Sequence, residues 1–138
     1  MAQNDISFFF NPTSIAVIGA SDTKGKVGNT VLNNIINSGY KGKIFPINPR
    51  AKEICDVPCY KSVLNVPEDI EVAIFVIPGK FVNSAAEECG KKGVKGLIVI
   101  SAGFKEIGGE GVEREEKLIQ IGKKYNMRIL GPNCLGFI

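Results

Sequence analysis

The chain has 138 residues, 44% of them hydrophobic, enough apolar material for one domain with its own core. Its 17 basic and 14 acidic residues give a net charge of only +3 and are interspersed, which argues against a nucleic-acid partner because counterion release needs a concentrated basic stripe. No apolar run approaches the roughly 18 residues of a membrane span, and the amino-terminal stretch has no signal-peptide core, so a cytoplasmic protein with no membrane partner and reduced cysteines is expected.

Taken in chain order, Phe8, Phe9 and Phe10 are expected to plug against a sheet. The run "SIAVIG" from Ser14 is continuously apolar, the pattern of a strand buried on both faces of a parallel sheet. A loop rich in Gly and Lys follows. Then "VGNTVLNNIINSGY" spaces Val31, Leu32, Ile35 and Ile36 as one face of a helix that stops at Gly39. "KIFPIN" from Lys43 reads as a second strand. Residues 50–71 carry two prolines in "CDVPCYKSVLNVPED" and predict a loop with one short helical turn.

"VAIFVI" from Val72 and "GLIVIS" from Gly96 are further strands, with a helix over 80–93 between them that places Cys89 in the core. "GVEREEKLIQIGKKY" predicts a helix with Leu118, Ile119 and Gly122 facing inward, acids early and lysines late as the helix dipole favours. The acidic residues Glu106, Glu110, Glu113, Glu115 and Glu116 fit a solvated helix start and suggest no catalytic role. "MRILG" from Met127 is a fifth strand. Strands alternating with helices predict an α/β, Rossmann-like, doubly wound parallel five-stranded sheet with helices on both faces. Ligands on such sheets bind beyond the strands' carboxyl ends. In this chain those ends fall at 19–28, 48–52, 78–81, 101–104 and 132–134.

The loop after the first strand fits neither common phosphate-binding pattern. A dinucleotide fingerprint, G-x-G-x-x-G, needs glycine two positions after the first, where Ser21 stands; Gly25 and Gly28 come later. A P-loop has four residues between its glycines and a Ser or Thr after its lysine, but this loop has five, and Val27 follows Lys26. A helix nonetheless starts near Val27, and its free N–H groups, with Lys24 and Lys26, suit a phosphate. The second strand ends in Asn48, Pro49, Arg50 and Lys52, not in the acid that would bind both hydroxyls of an NAD ribose. NADP and coenzyme A, each with an extra ribose phosphate, both satisfy that chemistry, while a plain solvated turn would explain the two cations equally well.

With "SIAVIGAS", "GKVG", "IFPINPR", "FVIPG", "VISAGFKE" and "ILGPNCLGFI" in this order, the chain resembles the CoA-binding domain of the nucleoside-diphosphate-forming acyl-CoA synthetases. The closest type is the α subunit of ADP-forming acetyl-CoA synthetase, a relative of the succinyl-CoA synthetase α subunit. The resemblance implies a fold that holds CoA or acyl-CoA across the carboxyl edge, within a larger enzyme that has further domains or a β subunit. That enzyme interconverts acyl-CoA, ADP and phosphate with acid, CoA and ATP. Carried over, Gly19, Ser21, Lys26, Val27 and Gly28 would meet the CoA phosphates. Asn48, Pro49 and Arg50 would meet the adenosine and its 3′-phosphate, and Ile77 and Pro78 would flank adenine or pantetheine. Ile100, Ser101 and Ala102 would line the pantetheine path, and Asn133 with Cys134 would lie near its reactive end.

Two departures qualify that picture. Ser101, Ala102 and Gly103 stand where the succinyl-CoA synthetase subunit has Thr-Glu-Gly, so backbone contacts are expected there and side-chain contacts are not. The chain also has no histidine, whereas the family carries phosphate on one. Residues 1–138 are therefore expected to be a single CoA-binding domain of a longer chain, without turnover of its own. The alternatives are an NADP-binding oxidoreductase module and a non-catalytic CoA sensor fused to an acetyltransferase. Cys55 and Cys59 lack the spacing and the histidines of a zinc site, and no metal is expected. Cys134 has no general base beside it and is assigned to packing or positioning.

Overall fold

A computed structural model describes residues 7–104 and 107–131. Five parallel strands form one sheet: β1 (Ser14–Ile18), β2 (Lys43–Ile47), β5 (Val72–Phe75), β6 (Gly96–Val99) and β7 (Arg128–Leu130). Their order is β2-β1-β5-β6-β7. The continuous Val and Ile runs are strands because both sheet faces are covered, so successive side chains on either side of the pleat are mostly apolar, with polar residues such as Lys43 and Arg128 at the strand starts. The five residues of β1 are all buried.

Helices α1 (Val27–Asn37), α2 (Val82–Lys92) and α3 (Gly109–Tyr125) supply the cover. Ala16, Ile18, Phe75, Leu97 and Val99 pack with Val82, Ala86 and Cys89 of α2 and Leu118 and Ile121 of α3. Ile15 and Val17 face the other way, against Leu32, Ile35 and Ile36 of α1. The helix after β1 and the helix after β5 thus lie on opposite faces. Their loops diverge between these two adjacent strands, which is where open α/β sheets form a crevice.

Three expectations need correction. Ile119 does not point inward. It is 48% exposed, and Ile121 takes its place, because the buried stripe of α3 runs Gly111, Leu118, Ile121, Gly122 at helical spacing and Ile119 is turned about 100° away from Leu118. Of the three phenylalanines only Phe9 is fully buried; Phe8 is half-buried and Phe10 is 66% exposed. The plug is a local one: the Phe8 and Phe9 rings occupy the space a side chain at Gly96 would need, with 4.6 Å between their centroids. The third correction concerns residues 50–71. The short helical turn is there, a 3-10 turn at Val63–Asn65 capped by Ser62, but the loop also holds an antiparallel hairpin of β3 (Glu53–Ile54) and β4 (Val57–Pro58).

That hairpin turns through Cys55 (φ 52°) and Asp56 (φ 65°), both in the left-handed region. Two such residues make the tight turn that suits strand twist, a position more often held by Asn-Gly or Asp-Gly. The Asp22 carboxylate offsets the cost by accepting the Cys55 N–H at 3.0 Å, and Ile54 anchors the hairpin in the α1-side core at 1% exposure. Among the described residues no helix is long and apolar enough to cross a membrane.

Candidate functional site

The loop after β1 is shaped by close approach. A side chain at Gly28, in the first turn of α1, would collide with the carbonyl oxygen of Gly19 at the end of β1. Only glycine lets the helix start press onto the strand end, the role the last glycine plays in dinucleotide folds. Gly19 itself has φ +100° with Val76 and Ile77 against it, so it too excludes a side chain.

The helix start is uncapped. Lys26 occupies the N-cap with extended φ/ψ and, having only donors, makes no capping bond. The N–H groups of Asn29 and Thr30 reach the Lys26 carbonyl, while those of Val27 and Gly28 have no protein acceptor among the described residues. Lys24, Lys26 and Val27 are exposed beside them. Unsatisfied first-turn donors with the positive end of the helix dipole form an anion seat.

Two asparagines hold this seat still. Asn29, only 8% exposed, donates from Nδ2 to the Ser21 carbonyl at 3.0 Å and accepts at Oδ1 from Asn33 at 3.1 Å. Asn48 donates to the Ala20 carbonyl at 2.9 Å and accepts the Arg50 N–H at 2.8 Å. The Ser21 hydroxyl accepts the Thr23 N–H at 3.0 Å, closing a local turn. Asn48 and Ser21, expected to touch a ligand, thus use their side chains to build the loops.

Beside the seat lies an apolar recess of about 340 Å³, at the carboxyl ends of β1, β2 and β5. Of the expected residues it brings together Gly19, Pro49 and Ile77. Its wall also takes in Lys61, Val63, Ala85 and Glu88, which the sequence did not single out, and Phe81. Lys61 arrives there because Tyr60 bridges in parallel to Ile47, donating to the Pro46 carbonyl and accepting from the Asn48 N–H. The chain thereby extends the sheet edge past β2. Glu88 is held at the lip by the Ser62 hydroxyl at 2.7 Å. Phe81, 52% exposed, stands on the rim with Lys80 above its ring. An exposed aromatic at the mouth of an apolar hollow suits a planar base. The sequence signal for it was present, since Phe81 closes the loop at 78–81.

Arg50 and Lys52 are exposed and do not line the recess, and Pro78 is exposed at the start of the 3-10 turn Gly79–Phe81. Ile100 is half-buried and Ala102 exposed beyond β6. Ser101, 7% exposed, turns its hydroxyl back to the Phe75 carbonyl at 3.4 Å, leaving backbone and Ala102 on the rim. Asn133 and Cys134 lie outside the described residues.

The thiols nearby are quiet. Burial, with Asp22 close by, pushes both Cys55 and Cys59 above the ordinary thiol range, and deep burial does the same to Cys89. All three are free cysteines and poor nucleophiles at neutral pH.

A family profile described as CoA binding domain matches residues 13–138. The chain is 53% identical over 126 residues to the 4-hydroxybutyrate–CoA ligase [ADP-forming] of Nitrosopumilus maritimus, covering 91% of this chain and 18% of that protein. It is 48% identical over 133 residues to the acetate–CoA ligase [ADP-forming] I subunit alpha of Pyrococcus furiosus, covering 94% and 29%. A solved structure of Ca. Korarchaeum cryptofilum dinucleotide-forming acetyl-coenzyme A synthetase 1, in complex with phosphate and ADP, superimposes with a TM-score of 0.92 at 44% identity, over 96% of this chain and 28% of that one. The chain therefore spans less than a third of each of these proteins.

Proposed function

The chain belongs to the family of CoA binding domains, and on that premise we propose that its sheet edge holds coenzyme A for an ADP-forming acyl-CoA synthetase of which it is one part. The observation that carries the reading is the joining, at Gly19 and Gly28, of an apolar recess to an uncapped helix start. The recess takes the adenine, against Ile77 and Phe81. The diphosphate lies on the N–H groups of Val27 and Gly28 with Lys26 beside them. Arg50, with Lys61 from the recess wall, answers the 3′-phosphate. The pantetheine arm then runs over Pro78 toward Ile100, the backbone of Ser101, and Ala102, with Asn133 near its end.

The reaction served is acyl-CoA + ADP + phosphate ⇌ acid + CoA + ATP. A phosphohistidine relay needs a histidine from another part of the enzyme, because this chain has none. Relatives about half identical over this segment are named for two different acids, acetate and 4-hydroxybutyrate. Choice of acid therefore belongs to the rest of the enzyme, and this segment supplies the common CoA chemistry. Further domains or a second subunit complete the protein, a reading supported by the "subunit alpha" of the Pyrococcus relative. A cytoplasmic location belongs to the same proposal and is supported by the free thiols of Cys55, Cys59 and Cys89.

Calorimetric titration of the chain with CoA tests the proposal. Saturable one-to-one binding is expected. No binding at millimolar CoA would end it, and NADP binding more tightly than CoA would replace it with a nucleotide oxidoreductase module.

A further inference from the structure

The loops after β5 and β6 meet under a single side chain. Arg114, in the second turn of α3, keeps only 17% of its side chain exposed. Its Nη1 donates to the Gly103 carbonyl, Nη2 reaches Glu110 Oε1 at 3.4 Å, and the guanidinium lies 6.0 Å from the centroid of the fully buried Phe104 ring. Its backbone carbonyl accepts from Asn83 Nδ2 at 3.1 Å, so α2 is fastened at the same point. Across the gap, a side chain at Gly79 would collide with the Ala102 carbonyl and come within 3.4 Å of Nη1. A side chain at Gly103 would come within 3.1 Å of it. The β5 loop, the β6 loop, α2 and α3 therefore share one crossing, and its centre is a planar, always-charged fork.

We propose that Arg114 is a positioning residue for the pantetheine arm: by fixing Gly103 and Ala102 against Gly79 it sets the separation of the two loops between which the arm runs. This rests on the CoA reading above. Arg114 touches no part of the ligand in that arrangement. It acts on Ala102 and Ser101 through the Gly103 carbonyl, and on the start of the 3-10 turn through the contact of Gly79 with Ala102. The adenine recess shares the β5 loop and α2 with this crossing through Phe81, Ala85 and Glu88, but α2 is held by the Arg114 backbone carbonyl, which a substitution leaves in place, and no residue of the recess or of the α1 seat bonds to the Arg114 side chain among the described residues.

The absence of any bond from the Arg114 side chain to the recess or the seat makes the role testable. Wild-type chain, Arg114→Ala and Arg114→Lys are each titrated with CoA and with adenosine 3′,5′-bisphosphate, which keeps the adenine and both ends of the ribose phosphate pattern but has no pantetheine. Arg114→Ala should weaken CoA about tenfold, the scale of a lost charge-assisted hydrogen bond, and leave the bisphosphate within about twofold. Arg114→Lys, which keeps one donor toward Gly103, should recover most of the loss. Equal weakening of both ligands, or no change in either, overturns the proposal. If Arg114→Ala fails to fold, Arg114→Met, which keeps the stem beside Phe104 but has no donor for the Gly103 carbonyl, takes its place and must weaken CoA more than the bisphosphate. A wild-type chain that binds neither ligand overturns the CoA reading itself, a result distinct from wild-type binding with unselective variants.

Discussion

Asn48 Nδ2 donates to the Ala20 carbonyl at 2.9 Å, so the loop after β2 is fastened to the loop after β1 by a side chain that also holds its own turn through the Arg50 N–H. Removing it should loosen both halves of the proposed CoA seat at once. Asn48→Ala is expected to cost about 1–2 kcal/mol of stability and to weaken CoA binding, as two hydrogen bonds of ordinary strength are lost. Asn48→Asp should be worse for CoA, because it keeps the acceptor for Arg50 but turns a carboxylate oxygen toward the Ala20 carbonyl and adds negative charge near the phosphates. Urea unfolding and calorimetry read the two effects separately.

Gly28 presses against the Gly19 carbonyl. Gly28→Ala, which would be favourable in an ordinary helix by about 1 kcal/mol, should here destabilise the protein by about 1–3 kcal/mol, because the methyl group must push α1 away from β1. Thr30→Ala, exposed two residues on, serves as the control and should stay within about 0.5 kcal/mol. A denaturant midpoint for Gly28→Ala at or above the wild-type value would contradict the close approach.

The 3′-phosphate separates CoA from dephospho-CoA. Loss of that group should cost about 1–3 kcal/mol of affinity. Arg50→Ala and Lys61→Ala should each reduce the discrimination, and the double variant should bring it below about twofold. Discrimination that survives in the double variant would move the phosphate elsewhere on the edge.

At the opposite edge, Glu71 ties three strands together. Oε1 accepts from the Thr13 N–H at 2.8 Å and its hydroxyl at 3.3 Å, and Oε2 pairs with Lys95 at 3.2 Å. Burial by itself would raise this carboxyl, but the Thr13 N–H and Lys95 outweigh it and hold the group below its ordinary value. The folded state therefore binds fewer protons than the unfolded chain in the acid range. The resulting stabilisation is complete above the ordinary carboxylate pKa of about 4.3 and is lost as pH falls through the lower folded value. Glu71→Gln should be less stable than wild type near pH 6, with the gap closing toward pH 3, as measured by urea unfolding across that range.

The strands were legible because a parallel sheet covered on both faces leaves a continuous apolar run, and each of the five runs became a strand of the sheet. The uncapped helix start after β1 and the exposed cations after β2 were legible from residue type and place. The β3–β4 hairpin was not. Its strands have two residues each, its turn lacks the usual glycine, and what holds it is Asp22, thirty-three residues before Cys55 in the chain. The inward face of α3 was misread for a related reason. Leu118, Ile119 and Ile121 are equally apolar, and only packing against the sheet decides which of the neighbours is covered.

By itself the sequence determined the alternation of strands and helices and marked a candidate ligand edge whose loop spacing departs from a P-loop and whose cations suit NADP and coenzyme A alike, the family resemblance alone pointing to coenzyme A. Those features are local: they follow from hydrophobic period, glycine spacing and charge next to a strand end. Tertiary structure alone decided that β1 lies between β2 and β5, which opens the crevice, and that residues 60–63 fold against the end of β2 to bring Lys61 and Val63 into the recess. It also decided that Asn48 and Ser101 serve the scaffold, since a side chain's hydrogen-bond partners depend on which distant backbone group the fold sets beside it.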